Sequence, residues 1–151
     1  MNRYETNLLN NVTDIAEYIA GLRVPNLRIH ADTFHMNIED ISMALTLRGH
    51  VDLLGYLHLS DSNRLWPGAG HIDFASILGA LRHSGYQRWL GVEVLRVPDS
   101  VGAAERSIAY VRECEKRLDA DRPFWTRRRR HAGRDIPHAP PSNGECEQKE
   151  H

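Results

Sequence analysis

The chain has 151 residues, of which 41% are hydrophobic and 26% charged, an ordinary composition for one globular domain with a hydrophobic core. The formal net charge is −1 with all nine histidines neutral, so the chain as a whole lacks the basic excess of a nucleic-acid-binding protein. No apolar run approaches the ~18 residues of a transmembrane helix, and the two cysteines are far apart. We therefore expect a cytoplasmic protein without a disulfide and without membrane contact.

The first predicted helix and strand lie at the N-terminal end. Apolar residues recur there at helical spacing, and Gly21 is a natural C-terminal end for the helix. The residues of this apolar stripe are Leu8, Val12, Ile15 and Ile19. After a Pro-Asn turn, the short apolar run 27–31 predicts the first strand.

The second predicted helix and strand follow directly. We expect Asp32 and His35 in the turn after the first strand and Asn37 as the cap of the helix, which ends near Gly49. The apolar stripe of this helix consists of Ile38, Ile41 and Leu45. The near-continuous apolar run 51–59 predicts a strand that is buried on both faces, as in a parallel sheet.

A long loop, a helix, a strand and a last helix complete the predicted domain. The loop 60–71 is long for such a connection, and Asp73 is the expected cap of the next helix. The run 89–94 predicts the third strand, in which the carboxylate of Glu93 is costly unless it is paired or bound to a metal ion. The last helix begins near Ser100. The expected buried residues of the two helices are Phe74, Ile77, Leu78 and Leu81 in the first, and Ala104, Ile108, Val111 and Leu118 in the second.

Helices and strands alternate at the spacing of βαβ units, which predicts an α/β domain with a parallel sheet over residues 1–118. The composition changes from residue 119, because four of the seven prolines lie beyond it and Arg127 to Arg130 form an unbroken basic run. We expect residues 119–151 to form a disordered tail. The basic run could contact nucleic acid or an acidic surface, although solvated segments of this kind are more common.

Three potential metal ligands follow one another at the ends of the three predicted strands: Asp32, His58 and Glu93. The carboxyl ends of neighbouring parallel strands meet at one edge of the sheet, where α/β proteins bind ligands. One imidazole and two carboxylates suit Mn²⁺, Mg²⁺, Co²⁺ or Zn²⁺. Taken singly, each residue also has a structural explanation, as a turn residue, a satisfied core histidine or half of a buried ion pair. Their equivalent positions favour the metal site.

Four stretches of the sequence and one further residue resemble a known family. They are 2–5 (Asn-Arg-Tyr-Glu), 32–39 (Asp-Thr-Phe-His-Met-Asn-Ile-Glu), 58–64 (His-Leu-Ser-Asp-Ser-Asn-Arg), 70–74 (Gly-His-Ile-Asp-Phe) and Glu93. Together they resemble the xylose-isomerase-like sugar isomerase/epimerase family. The resemblance is strongest to its ketose 3-epimerases of the D-tagatose/D-psicose and L-ribulose type.

This resemblance implies that the chain is the C-terminal part of a (β/α)8 TIM barrel, with about three βα units that correspond to strands six to eight. It implies a divalent metal cofactor, usually Mn²⁺ with Mg²⁺ or Co²⁺ as alternatives, with Asp32, His58 and Glu93 among its ligands. It also implies a ketose as the small-molecule partner. The residues that would bind the hydroxyl groups of this sugar are Glu5, His35 and Arg64.

The activity that the resemblance implies is epimerisation of a ketose at C3. The metal ion polarises the ketone, one glutamate removes the C3 proton to give an enediolate, and a second glutamate returns a proton to the opposite face. Glu93 corresponds to one of these two catalytic glutamates. The other, which is also the first metal ligand, falls six residues before Glu5 in the family pattern and therefore before Met1.

Other interpretations stay open. The chain could isomerise a related substrate such as hydroxypyruvate or an inosose. It could be a catalytically incomplete fragment, or a half-barrel that depends on a partner such as a second copy in a homo-oligomer. It could also be an endonuclease-like relative that acts on damaged DNA, but that class needs a larger set of zinc ligands and a basic groove, and the net charge of −1 argues against it.

Overall fold

A computed structural model of the protein describes residues 1–120, which contain five helices and three strands. The helices are α1 (Val12–Leu22), α2 (Thr33–Glu39), α3 (Met43–Gly49), α4 (Phe74–His83) and α5 (Ser100–Ala120), and the strands are β1 (Ile29–Asp32), β2 (Leu54–Leu59) and β3 (Trp89–Val92). Helix α5 continues two residues past the predicted domain boundary. The rest of the predicted tail, with its basic run and Cys146, lies outside the described residues.

The three strands form one parallel sheet in the order β1-β2-β3, as the alternation of helices and strands predicts. Asp32 is the register partner of His58, and His58 is the partner of Gly91. Side chains two residues apart in a strand point to the same face. The register therefore brings Asp32 and His58 side by side, with Glu93 following two residues after Gly91.

The hydrophobic core lies on one face of this sheet. Leu57 and Leu59 of β2 are fully buried in it, together with apolar residues of the helices. The opposite face carries a row formed by His30, Tyr56 and Trp89, which are paired in register across the three strands. The side chain of Trp89 is 77% exposed. Tyr56 and His58 of β2 are only half-buried on this face, so the prediction that the second strand is buried on both faces is wrong here, although its helix-facing side is as expected.

Helix α1 differs from its prediction at both ends. It begins after Asn11, whose side chain accepts a hydrogen bond from the backbone N–H of Asp14, so Leu8 lies outside the helix and is exposed. Gly21 is helical, and the helix ends at Leu22, followed by the cap residue Arg23 in a left-handed conformation with a φ of 53°. The asparagine cap sets the start of the helix more strongly than the apolar spacing does.

The predicted second helix consists of two short helices. Asp32 caps α2 by accepting a hydrogen bond from the N–H of Phe34, so His35 and Asn37 are helical and Asn37 is not the cap. Ser42 then caps α3 by accepting a hydrogen bond from Leu45. The early start at Asp32 fixes His35 on a helix at the end of β1, where the sequence predicts a turn.

Two predicted apolar stripes face solvent in part. Ile41 and Leu45 are exposed, since the break between α2 and α3 ends the expected periodicity. On α5 Ile108 is half-exposed, and the buried face lies one residue away, at Ser107 and Cys114. The Ser107 hydroxyl donates to a backbone carbonyl four residues earlier, which lets this small polar side chain pack in the interior. Helix α4, by contrast, has its predicted cap and its predicted buried residues.

The ends of β1 and β2 are joined by a buried pair of hydrogen bonds. The Thr33 hydroxyl donates to the backbone carbonyl of Ser60 at 2.6 Å and accepts from the backbone N–H of the same residue at 2.8 Å. Both residues are fully buried. A single side chain therefore satisfies both backbone groups of Ser60 where the sheet ladder ends.

The long loop after β2 is organised around the buried carboxylate of Asp61. It accepts hydrogen bonds from the backbone N–H groups of Ser62, Gly68 and Ile72, at 2.7, 2.8 and 3.2 Å. Burial acts to raise the pKa of Asp61, but the hydrogen bonds from Gly70 and from these three N–H groups outweigh it, so the pKa lies below its usual range. The ionised carboxylate thus fixes the path of the loop.

None of the helices in residues 1–120 is long and apolar enough to cross a membrane. Cys114, the one cysteine in this part of the chain, is buried and free.

We expect Thr33→Val to lower the free energy of unfolding by about 2–4 kcal/mol, because it leaves the buried N–H and carbonyl of Ser60 without partners. Urea denaturation followed by circular dichroism measures the change. Thr33→Ser is the matched control, since it keeps the hydroxyl and loses one methyl group, at a cost of about 1 kcal/mol. Equal losses in the two variants would show that the hydroxyl does not stabilise this junction.

We expect Asp61→Asn to destabilise the protein by about 2–4 kcal/mol at neutral pH, because an amide cannot replace the carboxylate as acceptor for four N–H groups. The folded-state pKa of Asp61 is lowered, so its contribution is complete above the unfolded-state pKa of about 3.9 and is lost as the pH falls through the folded-state pKa. The stability gap between wild type and variant should therefore narrow in acid.

Asp52→Asn is the control for this comparison, because Asp52 is exposed and its substitution should change stability by less than about 0.5 kcal/mol. A gap between wild type and Asp61→Asn that stays constant down to acid pH would contradict the role of the ionised carboxylate.

Candidate metal centre

Three side chains meet at the carboxyl-terminal edge of the sheet. Asp32 ends β1, His58 is the penultimate residue of β2, and Glu93 follows β3 directly. One ligand atom from each lies within 4.8 Å of those of the other two. The structure therefore brings together the three residues that the sequence singles out, and their role as metal ligands stays a prediction.

Asp32 contributes a buried carboxylate with one oxygen unused. Its Oδ1 accepts the hydrogen bond that caps α2, at 2.8 Å from the N of Phe34. Its Oδ2 is buried and has no hydrogen-bond partner, and lies 3.7 Å from Nδ1 of His58 and 3.9 Å from Nη2 of Arg64. A buried carboxylate oxygen without a partner is costly, and a cation is one group that would satisfy it.

Glu93 is placed differently from its prediction. Strand β3 ends at Val92, and the Glu93 side chain is 53% exposed, so it is not a carboxylate buried inside a strand. It is nevertheless paired, with Oε2 at 3.0 Å from Nδ1 of His58 and Oε1 at 3.0 Å from Nη2 of Arg64. The apolar run that suggested burial forms only a short edge strand.

The two carboxylates of the cluster differ in their affinity for a proton. Burial raises the pKa of Asp32, and the neighbouring Glu93 raises it further. Partial burial acts to raise the pKa of Glu93 as well, but the proximity of Asp32, Arg64 and His58 outweighs it and lowers this pKa. Two acidic groups this close favour holding one proton between them.

These features fit a divalent cation. Two carboxylates and one imidazole form a mixed oxygen and nitrogen donor set, suited to Mn²⁺, Mg²⁺ or Co²⁺. A cation would satisfy the unpaired Oδ2 of Asp32 and balance the negative charge of the two carboxylates. The imidazole Nδ1 of His58 faces both carboxylates, at the position where it could complete the set.

The residues predicted to bind a sugar lie beside this cluster. His35 Nε2 is 3.1 Å from Nη1 of Arg64, and His35 Nδ1 is 3.8 Å from Oε2 of Glu5. The Arg64 guanidinium packs 4.7 Å above the ring of Phe34 and contacts Glu93. All six residues predicted for the site therefore form one continuous group in the structure.

Sequence reasoning gave no separate role to Asn2. This residue is 2% exposed, and its Nδ2 lies 2.8 Å from Nδ1 of His35. Arg3 holds the same segment against α2 through hydrogen bonds to Glu39, from Nε at 3.0 Å and from Nη2 at 2.9 Å. The only indication of a role for Asn2 in the sequence was its place in the motif 2–5. An amide side chain in a polar stretch does not reveal that its partner lies 33 residues away.

Comparison with known proteins places the chain in a family. A family model described as xylose isomerase-like TIM barrel matches residues 1–114. The 3-dehydro-D-guloside 4-epimerase of Escherichia coli (strain K12) is 35% identical over 115 residues, which are 76% of this chain and 44% of the relative. The L-ribulose 3-epimerase of Mesorhizobium japonicum is 41% identical over 93 residues, which are 62% of this chain and 31% of the relative.

The same fold occurs in a solved structure of an L-ribulose 3-epimerase, with a TM-score of 0.73 and 30% sequence identity over 80% of this chain and 46% of that one. The chain spans less than half the length of the relatives it matches. Its parallel α/β sheet and its helices agree with part of such a barrel. By the family model and by its fold, the chain belongs to the xylose isomerase-like TIM barrel family.

Proposed function

We propose that this chain supplies a divalent-metal site and a proton-transferring carboxylate for the epimerisation of a sugar next to a carbonyl group. The observation that carries the proposal is the convergence of Asp32, His58 and Glu93 around the unpaired Oδ2 of Asp32. A bound Mn²⁺, Mg²⁺ or Co²⁺ ion would polarise the sugar carbonyl and make the adjacent C–H group more acidic.

In this proposal Glu93 is the base that takes the proton from the sugar carbon. Its side chain is half-exposed at the edge of the sheet and can reach a bound substrate, whereas Asp32 is buried. Arg64 contacts Oε1 and His58 contacts Oε2, and these two contacts hold the carboxylate in one orientation. A positioned carboxylate within reach of the reacting carbon is the basic requirement of general-base catalysis.

His35, Arg64 and Glu5 are the proposed sugar-binding residues. They offer an imidazole, a guanidinium and a carboxylate at the margin of the metal cluster, a mixture of hydrogen-bond donors and acceptors suited to vicinal hydroxyl groups. The stacking of Arg64 on Phe34 keeps the guanidinium at the site. Because the stacking uses the face of the guanidinium, the N–H groups at its edge stay available for hydrogen bonds. A neutral polyol matches this set better than a highly charged substrate does.

The relatives suggest two reactions of the same chemical class. Several are named L-ribulose or D-psicose 3-epimerase, which favours inversion at C3 of a free ketose. The Escherichia coli relative is named a 4-epimerase, and its match covers 76% of this chain. In both reactions the proton that is removed lies next to a carbonyl carbon, so the residues proposed here serve either one.

The non-catalytic interpretation remains the second candidate, in which the chain binds a metal ion but needs a partner for turnover. It is favoured because the cluster in residues 1–120 contains one glutamate, whereas inversion needs one group to remove a proton and another to return it to the opposite face. The endonuclease alternative has less support, because residues 1–120 contain one potential metal-binding group of three side chains. A site for several zinc ions needs more ligands.

We expect the chain to bind one Mn²⁺ ion and Asp32→Asn to weaken this binding by at least about tenfold, because an amide oxygen carries no charge. Titration followed by electron paramagnetic resonance of free Mn²⁺ measures the affinity. The matched control is Asp73→Asn, since both residues cap helices and asparagine caps as well as aspartate. Similar weakening in the two variants would exclude Asp32 as a specific ligand.

We expect the chain with Mn²⁺ to be a weak epimerase, and Glu93→Gln to reduce proton transfer by about 10²–10⁴-fold. Deuterium uptake from D₂O into D-fructose, D-tagatose, L-ribulose and a 3-keto-glycoside, read by mass spectrometry, reports removal of the proton even without inversion. Exchange that persists in Glu93→Gln would assign the base to another residue. Metal binding by the wild type without exchange into any sugar would favour the non-catalytic interpretation.

A further inference from the structure

A chain of hydrogen bonds runs from the backbone of Tyr4 to the ring of His35. The backbone N–H of Tyr4 donates to Oδ1 of Asn2 at 2.9 Å, and Nδ2 of Asn2 lies 2.8 Å from Nδ1 of His35. Asn2 is 2% exposed, so water does not satisfy either end of its amide. The direction of each bond in this chain can therefore be derived from the donors and acceptors present.

The backbone N–H of Tyr4 fixes the orientation of the Asn2 amide. An N–H group can only donate, so the oxygen of Asn2 must face it and the nitrogen must face His35. The flipped amide would set its own N–H group against the N–H of Tyr4 and would leave the Tyr4 N–H without its acceptor. Nδ1 of His35 is therefore the acceptor, and the proton of the neutral ring lies on Nε2.

The other end of His35 then faces a second donor. Its Nε2 lies 3.1 Å from Nη1 of Arg64, and a guanidinium group has donors only. Two donors cannot bond to each other, and both can be satisfied at once by an oxygen atom placed between them. This end is also more open than Asn2, because the side chains of His35 and Arg64 are 13% and 23% exposed.

The charged groups around His35 do not reverse this assignment. Oε2 of Glu5 lies 3.8 Å from Nδ1, too far for a hydrogen bond, and Asn2 is closer to the same atom. Burial lowers the pKa of His35, the N-terminal amino group and Arg64 lower it further, and Asp32 and Glu5 act in the opposite direction. The ring is accordingly neutral at physiological pH.

We propose that Asn2 is a positioning residue that locks His35 in the Nε2–H tautomer, so that His35 and Arg64 together donate to one oxygen of the bound sugar. The second half of this inference rests on the proposed function, and the first half does not. The partner of the two donors is a carbonyl or hydroxyl oxygen. A sugar that lacks an oxygen at that position would leave both donors unpaired and would bind less tightly.

The test begins with the tautomer of His35 in the wild-type chain. Long-range ¹H–¹⁵N correlation spectra of histidine-labelled protein distinguish a protonated nitrogen from an unprotonated one, and His35→Gln identifies the His35 signals. We expect Nε2–H in the wild type. A wild-type His35 that carries its proton on Nδ1 would overturn the inference, whether or not the chain binds a sugar.

The variant Asn2→Asp should reverse the tautomer of His35. The carboxylate still accepts from the Tyr4 N–H, but it now also accepts from the ring, so the proton should move to Nδ1 of His35. Asn26→Asp adds the same charge at an exposed site and should leave the wild-type tautomer. An unchanged tautomer in Asn2→Asp would contradict the role of Asn2.

Sugar affinity separates this inference from the proposed function. By calorimetry with Mn²⁺ present, Asn2→Asp should bind L-ribulose or D-fructose about tenfold more weakly than the wild type and Asn26→Asp, with Mn²⁺ affinity unchanged. Equal sugar affinity in the two variants would contradict the proposal that His35 and Arg64 donate to the same sugar oxygen. A wild type that binds none of the sugars would count against the proposed function, while the spectra still decide the role of Asn2.

Discussion

The whole site depends on the parallel register of the three strands. Asp32 and His58 are register partners, and a slip of one residue would turn one of them to the opposite face of the sheet. The register is secured where the ladder ends, because the Thr33 hydroxyl bonds both backbone groups of Ser60. Thr33 and Ser60 come one and two residues after the ligand positions on their strands, so this junction fixes the distance across the cluster.

A second constraint acts through the loop after β2. The buried Asp61 carboxylate gathers the loop backbone around itself, and a Cβ atom at Gly70 would come within 2.2 Å of its Oδ1. Arg64 lies in this loop in a left-handed conformation with a φ of 61°, and its carbonyl accepts a hydrogen bond from the N–H of Leu95. The loop therefore also holds the segment that carries Glu93, which couples the proposed sugar-binding residue Arg64 to a candidate metal ligand.

Much of this arrangement could be predicted from the sequence, because alternation of helices and strands and polar groups at strand ends are local signals. The break between α2 and α3 was not predictable from periodicity, since the Asp32 cap starts a helix where the apolar pattern shows none. The buried face of α5 was missed because it includes Ser107, a polar residue that can be buried since its hydroxyl donates to the backbone carbonyl of Ala103. The role of Asn2 depends on a contact with His35, and a single sequence does not contain such tertiary contacts.

The constraints described above act on the candidate metal ligands, and they do not act on the walls that would surround a substrate. The three candidate ligand side chains are positioned by local features, namely strand register, the Thr33 junction and the Asp61 loop, all within residues 1–95. Exclusion of water and discrimination among sugars require walls around the substrate. The sheet face that carries Trp89 is open to solvent in the described residues, so under the proposed function any selectivity among sugars would depend on what covers that face.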